Sequence, residues 1–482
     1  MTIRPTTDAR PNLAPHCCDW RIGGVLALAL TVRLAIAALG CAFAQGGPLV
    51  REPDSPSYIR AAEALVETGR FGKSGEPELV RAPGYSLLLT VGVWLGRVDA
   101  ATIALQIGLG CLTAWLLYRI GLVVFERADC ALAAALLYAC EPLSALYASK
   151  LLSETLFTTT IAAAMLFALR FIRGQATLDL CLSAALVAGA AFVRPIAYFL
   201  PFALAALYVF WLWKGSESKQ RLLLQTLAFV CLAFGPLVVW QARNYAVAGY
   251  PRFSAISDIN LYFYQAAGAL SAEREAPVRE VQRELGYGDE RAYLRLHPEQ
   301  RSWSQAERLE FLHDEAVSII REHPGAMLRA HLAGIRDMLT DPGTNAYLHF
   351  FRIDESQKRP QPRGGDASIW SRLRRAFREK PRTATVHTSL SAILFGYYAL
   401  AIWGAICCRF WRNARLAFVL AVGCYLLALS GGPAAYHRFR LPLVPVVCLL
   451  AGCGLAALWS SRKRAPCVAA PNNPSEVQAS LG

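Results

Sequence analysis

The sequence is short of charge, and above all of lysine. Asp, Glu, Lys and Arg make up 17% of its 482 residues, whereas soluble domains carry about a quarter. Lysine occurs only seven times, so arginine supplies most of the net charge of +14. With 55% hydrophobic residues, this composition excludes an ordinary soluble domain and predicts a polytopic membrane protein. The basic excess indicates contact with anionic lipid headgroups, and without a recognisable binding module we expect no nucleic acid partner.

Cysteine is absent from both long polar stretches, residues 44–100 and 243–388. The 14 cysteines fall in the N-terminal tail, in or beside apolar runs, or near the C-terminus. This distribution argues against a disulfide framework. Neither Cys17–Cys18 nor Cys407–Cys408 has the spacing of a metal site, so we interpret most of the cysteines as small buried hydrophobic residues.

Ten apolar runs are each close to the ~20 residues that a helix needs to cross a bilayer. They cover residues 23–43, 101–124, 130–148, 155–172, 178–194, 196–213, 222–241, 389–408, 414–430 and 440–459. A further apolar piece, 84–96, is shorter and contains three glycines. If this piece does not cross the membrane, every short basic cluster lies on the same side of the membrane, as the positive-inside rule requires. We therefore expect 84–96 to be a helix on the outer surface.

This span count predicts an all-α membrane protein with five parts. They are a cytoplasmic tail at 1–22, an N-terminal transmembrane module at 23–242 that contains an outer loop at 44–100, a periplasmic segment at 243–388, C-terminal transmembrane helices at 389–460 and a second cytoplasmic tail at 461–482. Within the periplasmic segment, "SQAERLEFLHDEAVSIIREHP" predicts an amphipathic helix that stops before a proline. "SIWSRLRRAFREKPR" predicts a basic interfacial helix.

The outer loop presents an acid soon after the first apolar run. Asp54 stands between two prolines, and the residues after it read as a helix with Ser55 as its N-cap, Pro56 at its first position and Gly69 at its end. A helix N-terminus of this kind would fix the Asp54 carboxylate at the membrane surface.

Six short motifs follow one another along the chain. They are "PDSPSYIRAAEAL" with "GRFG", "RAPGYSLLL", "LLSETLF", "FVRPIAYFLP", "ARNYAVAGYP" and "HRFRLPLVP". In this order they resemble the bacterial polyprenyl-phosphate-dependent glycosyltransferases of the GT-C fold. That group includes PMT-like protein mannosyltransferases, lipid A aminoarabinose transferases and RgtA/B/C/D-like sugar transferases. The resemblance runs from about residue 20 to 455, and it implies a GT-C-type bundle of about ten transmembrane helices with juxtamembrane helices.

The resemblance implies two catalytic acids. Asp54 matches the loop acid that serves as general base, and Glu154 matches a second acidic motif that orients the acceptor, supports the base or binds metal. Both also fit helix capping, since Ser153 and Glu154 read as the start of a helix. Relatives carry two adjacent acids in the loop, whereas here Glu52 lies two positions before Asp54 and is kept in reserve.

The resemblance also implies cations for the carrier phosphate. Arg194 matches the arginine of the arginine–proline motif, and its planar fork suits phosphate. Arg438 opens the last span on the outer side, against the usual charge bias, beside His437, which is a weaker metal or phosphate candidate. Interfacial snorkelling would also explain such arginines. The remaining candidates are Arg81, Arg243 and Arg440 for the phosphate, and Tyr58 and Tyr85 for a sugar pocket.

The function implied is an inverting glycosyltransferase of the bacterial inner membrane with its site facing the periplasm. Its donor would be a sugar on a polyprenyl phosphate, and its acceptor lipid A, core oligosaccharide, another envelope glycan or a protein. Aminoarabinose transferases have an acid where this chain has Arg81, so dependence on a divalent metal stays open. The alternatives are an O-antigen ligase or polymerase, which would not lead with an acidic loop, and a flippase, which would need polar groups at mid-membrane.

Overall fold

The computed structural model describes residues 20–43, 50–73, 75–213, 216, 218–353 and 377–463. Within these ranges the chain is almost entirely helical, which confirms the predicted all-α class. The exception is a small hairpin in the outer loop, in which β1 (Gly72–Lys73) pairs antiparallel with β2 (Glu76–Pro77). Most of the basic interfacial helix predicted at 368–382 lies outside the described residues.

The helices that begin before residue 243 belong to the N-terminal module, and the last of them ends inside the segment 243–388, called the outer segment below. They are α1 (Trp20–Phe43), α2 (Ser55–Thr68), α3 (Pro83–Trp94), α4 (Val98–Phe125), α5 (Ala128–Cys140), α6 (Pro142–Tyr147), α7 (Glu154–Gly174), α8 (Thr177–Val193), α9 (Leu200–Leu212) and α10 (Lys219–Ala248). A 3-10 turn, Pro195–Ala197, precedes α9.

Shorter helices make up the described part of the outer segment. They are α11 (Ile256–Asn260), which continues through a π-helical turn at Leu261–Ala266, then α12 (Ala267–Arg274), α13 (Val278–Glu284), α14 (Glu290–Leu296), a 3-10 turn at Pro298–Ser302, α15 (Gln305–Glu322), α16 (Pro324–Thr340) and α17 (Thr344–Phe350). The predicted amphipathic helix is α15, which opens with a capping box of Ser304 and Glu307 and ends before Pro324.

The C-terminal part returns to long apolar helices. They are α18 (Pro381–Cys407), α19 (Ala414–Ser430) and α20 (Val444–Lys463), with 3-10 turns at Phe410–Arg412 and His437–Leu443.

Seven helical stretches of the described chain are long and apolar enough to cross a membrane: α1, α4, α7, Pro195–Leu212, α10, α18 and His437–Trp459. Three shorter apolar helices, α5, α8 and α19, complete the set. These ten coincide with the ten predicted apolar runs, and the protein is a multi-pass membrane protein. The predicted run 130–148 is interrupted at Glu141, which is extended because Pro142 follows it.

The apolar piece 84–96 forms α3, which packs against α2, α4 and α8. Its 12 residues span about 18 Å, too little for the ~30 Å hydrocarbon core. Gly84 allows a close approach, since a Cβ at this position would lie 2.8 Å from the backbone of Phe192 at the end of α8. The outer-surface position of α3 stays a prediction that its length supports.

Helix α7 is buried and packs against α4 and α8. Its two ends mark the two ends of the bundle. At one end, α7 begins, α8 finishes and the 3-10 turn before α20 packs against α7. At the other end, Arg415 Nη1 donates to Glu126 Oε1 at 2.7 Å, and Asn413 donates to the carbonyl of Val124 at 2.9 Å. The candidate acids and arginines belong to the first end.

Candidate active site

Asp54 lies immediately before α2, but the predicted cap is wrong in its details. Ser55 is the first helical residue, and Asp54 occupies the N-cap position without a side-chain capping bond. The Ser55 hydroxyl instead donates to the carbonyl of Leu151 at 2.7 Å and accepts the N–H of Glu52 at 2.9 Å. A tertiary contact has therefore taken the hydroxyl that the local pattern assigned to the helix end. The Asp54 carboxylate is left for other partners.

Two arginines from distant parts of the chain hold the Asp54 carboxylate. Arg81 Nη2 donates to Oδ1 at 2.8 Å, and Arg438 Nη2 donates to Oδ2 at 2.9 Å. Arg81 also donates to Ser57 Oγ at 3.0 Å. Burial alone would raise the pKa of Asp54, but the charges of Arg438 and Arg81 outweigh it and lower the pKa to about 2. Asp54 is therefore ionised at neutral pH.

Glu154 is the first residue of α7, and its side chain is only 1% exposed. Arg194 Nη1 donates to Oε1 at 2.5 Å. Arg438 Nε lies 2.6 Å from the same oxygen, as an ion pair rather than an aligned hydrogen bond. The other oxygen, Oε2, is buried and has no hydrogen-bond partner among the described residues. Ser153 occupies the predicted N-cap position, with Glu154 in the first turn, but its side chain makes no capping hydrogen bond.

These five side chains form one row of alternating charge, called the charge row below. In order they are Arg81, Asp54, Arg438, Glu154 and Arg194. Three cations and two anions leave one positive charge in excess. The ring of Phe439 lies beside the row, 5.6 Å from the guanidinium of Arg438 and 5.5 Å from that of Arg194. Guanidinium groups bind phosphate oxygens through paired hydrogen bonds, so the row is suited to an anionic ligand.

The acids of the charge row do not resemble a metal site. Among the described residues, no group of three or more His, Cys, Asp or Glu side chains could hold a metal ion. The guanidinium of Arg438 contacts both Asp54 and Glu154, so a cation already occupies the place where a metal would bridge the two carboxylates. The residues present do not fit a bridging metal.

Arg243 is not part of the charge row. Its Nη2 donates to the carbonyl of Phe71 at 2.8 Å, and its Nη1 donates to the carbonyl of Glu78 at 3.2 Å. Its guanidinium also lies 4.9 Å from the ring centre of Trp240. These contacts hold the outer loop against the end of α10. The Arg243 guanidinium, which was predicted to bind phosphate, instead donates to backbone carbonyls.

Tyr58 and Tyr85 lie together beside Arg81, with their rings edge to face at 4.9 Å. The Tyr58 ring lies 4.7 Å from the guanidinium of Arg81, whose Nη1 donates to the Tyr58 hydroxyl at 3.3 Å. Tyr85 is fully buried and donates to Gln106 Oε1 at 2.9 Å. Tyr58 therefore contacts the charge row, whereas Tyr85 is buried and contacts Tyr58.

Sequence reasoning missed Lys150. Its side chain is 3% exposed and pairs with Glu52, and its Nζ lies 5.2 Å from the ring centre of Tyr147. Glu52, the reserve candidate for the base, is therefore held by a buried lysine. The available signal was a rare lysine placed directly before the motif that contains Glu154.

His437 and Arg440 also have partners that the sequence did not indicate. His437 Nδ1 lies 2.8 Å from Asp341 Oδ2, and its Nε2 lies 3.2 Å from the hydroxyl of Tyr147. Arg440 Nη1 donates to the carbonyls of Met338 at 2.7 Å and Asp341 at 2.8 Å. Neither side chain is directed at the charge row, so the structure brings together Asp54, Glu154 and three of the five candidate arginines.

A protein-family model described as dolichyl-phosphate-mannose-protein mannosyltransferase matches residues 80–240. The match covers about a third of the chain and includes Arg81, Glu154 and Arg194. No curated protein sequence matches the chain.

Comparison with solved structures gives low identities. The archaeal oligosaccharyltransferase AglB from Archaeoglobus fulgidus, in complex with an inhibitory peptide and a dolichol-phosphate, is 12% identical with a TM-score of 0.46, over 92% of this chain and 52% of that one. This chain thus spans about half of the oligosaccharyltransferase. ArnT from Cupriavidus metallidurans, bound to undecaprenyl phosphate, is 13% identical with a TM-score of 0.37, over 91% and 79% of the two chains. Residues 80–240 are therefore similar to the dolichyl-phosphate-mannose-protein mannosyltransferase family, in a chain whose described part has the all-helical architecture of a multi-pass membrane protein.

Proposed function

We propose that the protein is a membrane glycosyltransferase that takes a sugar from a polyprenyl-phosphate donor and transfers it to a hydroxyl of an envelope acceptor. The observation that carries the proposal is the charge row, in which three arginines and two carboxylates from separate segments converge. The family match over 80–240 and the resemblance of the six motifs support the same chemistry. The acceptor classes are lipid A, core oligosaccharide, another envelope glycan and protein.

The charge distribution supports a periplasmic site in a bacterial inner membrane. The charge row lies at one end of α7, and Arg173 and Arg415 approach Glu126 at the other end. Short loops rich in arginine face the cytoplasm under the positive-inside rule. The end that carries Asp54 therefore faces the periplasm, where a flipped lipid donor and an envelope acceptor would meet.

In the proposed reaction, Asp54 accepts the proton of the acceptor hydroxyl as that oxygen attacks the anomeric carbon. The bond from this carbon to the phosphate oxygen breaks, and the polyprenyl phosphate leaves with the electron pair, so the anomeric configuration inverts. Arg194 and Arg438 offset the charge that develops on the departing phosphate. The unpartnered Glu154 Oε2 would accept a hydrogen bond from a substrate hydroxyl.

Donor binding would also activate the base. With a pKa of about 2, the resting Asp54 is a weak base, whereas efficient general bases have a pKa nearer the working pH. A phosphate that draws N–H groups of Arg81 and Arg438 away from Asp54 removes the contacts that lower this pKa. Asp54 would thus become more basic when the donor is in place.

The test measures two quantities on protein in lipid nanodiscs: binding of undecaprenyl phosphate, and sugar transfer from a polyprenyl-phosphate donor. We expect the wild type to bind and to transfer, and both R194Q and R438Q to bind at least tenfold more weakly. The matched control is R51Q, since Arg51 is an outer-loop arginine that pairs with Asp99 at 3.0 Å. A wild type that transfers no sugar, or an R438Q variant that binds like the wild type, would overturn the proposal.

A further inference from the structure

We propose that the outer segment positions both arginines that hold Asp54, through two separate anchors. Arg243 anchors the turn that carries Arg81, and Asp341 anchors the turn that carries Arg438. The inference rests on the proposed function and adds to it two positioning residues that lie outside the charge row.

The first anchor begins inside the outer loop. Glu78 is buried, and its Oε1 accepts the backbone N–H groups of Val80 at 2.7 Å and Arg81 at 2.9 Å. This carboxylate therefore folds the turn that leads into Arg81. Arg243 holds the same turn from outside, through the carbonyls of Glu78 and Phe71. The backbone of Arg81 is thus fixed by one acid of the loop and one arginine of the following segment.

The residues after α10 complete this anchor. Ser254 Oγ donates to the carbonyl of Val80 at 2.7 Å, and the backbone N–H of Ala255 donates to the carbonyl of Leu79 at 2.8 Å. Asn244 Nδ2 donates to the carbonyls of the two residues before Ser254, at 2.9 and 3.1 Å. The carbonyls of residues 78, 79 and 80 are therefore all bound by residues 243–255, so a movement of this segment displaces Arg81.

The second anchor lies on both sides of Arg438. The residue before it, His437, contacts the Asp341 carboxylate at 2.8 Å. Two residues after it, Arg440 donates to the carbonyls of Met338 and Asp341 at 2.7 and 2.8 Å. These three contacts reach the last turn of α16 and the residue after it. The end of α16 therefore fixes the direction in which the turn presents Arg438.

Asp341 is itself held in place. Its Oδ1 accepts the N–H of Gly343 at 2.9 Å. Gly343 has φ +84°, and a Cβ at this position would lie 2.9 Å from Leu143 and 3.2 Å from His437, so glycine suits both the conformation and the space. Burial would raise the pKa of Asp341, but the hydrogen bond and charge of His437 lower it to about 2. The anchor is therefore ionised at neutral pH.

Because each anchor reaches a single arginine, a positioning role differs from a general structural role in a measurable way. A misplacement of about 1 Å at a reacting site can cost about 100-fold in rate. If Asp341 acts through Arg438, the loss of Asp341 should not weaken binding further once Arg438 has been removed. In the same way, if Arg243 acts through Arg81, the loss of Arg243 should not weaken binding further once Arg81 has been removed. Independent effects on distant sites would instead multiply.

The experiment is a pair of double-mutant cycles on undecaprenyl phosphate binding in nanodiscs. We expect D341N and R243Q each to weaken binding by about 5–10-fold. The matched doubles, D341N/R438Q and R243Q/R81Q, should bind no more weakly than R438Q or R81Q alone. The crossed doubles, D341N/R81Q and R243Q/R438Q, should bind more weakly than either of their single variants, because each removes support from both arginines.

The controls come from the exposed ion pair of Arg336 and Asp337 on α16. We expect D337N and R336Q to bind like the wild type. Thermal unfolding checks that each variant is folded, and if D341N does not fold, H437Q removes the same contact from the other side.

Two results have different meanings. Binding by the wild type together with multiplicative effects in the matched doubles overturns the positioning role and leaves the proposed function intact. No binding by the wild type overturns the proposed function, and this inference with it.

Discussion

Replacing Asp54 by asparagine should separate donor binding from sugar transfer. The carboxylate is held by Arg81 and Arg438 at 2.8 and 2.9 Å, and its pKa falls from 3.8 to about 2. Each pKa unit corresponds to about 1.4 kcal/mol, so the arginines favour the ionised form by about 2–3 kcal/mol after the cost of burial. A bound phosphate must compete for the same N–H groups.

D54N removes the competing charge and keeps the size of the side chain. Binding of undecaprenyl phosphate should therefore tighten, by up to about tenfold if half of that free energy is recovered. Sugar transfer should fall by about 10²–10⁴-fold because the general base is lost. A residue that only held the arginines in place would instead lose binding and transfer together.

The assay measures the Kd for undecaprenyl phosphate and the transfer rate on the same nanodisc preparation. The matched control is D99N, since Asp99 is an outer-loop acid paired with Arg51, and it should change neither quantity. Transfer at the wild-type rate by D54N would refute the role of Asp54 as base. Binding weakened more than tenfold would refute the competition between the carboxylate and the phosphate.

Two further predictions concern stability. A Cβ on Gly404 would lie 1.9 Å from the carbonyl of Leu450, so G404V should force α18 and α20 apart and destabilise the protein by about 1–3 kcal/mol or more. Thermal unfolding should show this loss of stability. The control G396V should show none, because a Cβ on Gly396 meets nothing within 4 Å. The lowered pKa of Asp54 adds stability that is complete above pH 3.8 and is lost as the pH falls toward 2. The difference in unfolding free energy between wild type and D54N should therefore shrink over this pH window. A difference that stays constant from pH 5 to pH 2 would contradict this linkage.

The spans could be predicted because apolar length is a local property. The ten predicted apolar runs coincide with helices, and the run 130–148 differs only because Pro142 makes Glu141 extended, which is also a local effect. For the candidate site, order and sidedness placed Asp54, Glu154 and Arg194 at one end of the bundle.

The exact partners could not be predicted, because they depend on contacts between distant parts of the chain. Arg243 shows this, since its fork binds carbonyls 165 and 172 positions earlier in the chain. Lys150 meets Glu52 across 98 positions. No local pattern distinguishes an arginine aimed at a phosphate from one aimed at a backbone carbonyl.

The single excess positive charge of the charge row has a consequence for inhibitor design. A neutral sugar analogue would leave the pairing of Arg438 with its two carboxylates undisturbed and gain little at this site. A headgroup with one stable negative charge, such as a phosphonate monoester on a long apolar tail, would match the unbalanced guanidinium and the surrounding lipid at once. A headgroup with several negative charges would meet Asp54 and Glu154 as like charges, so selectivity at this site should favour the singly charged compound.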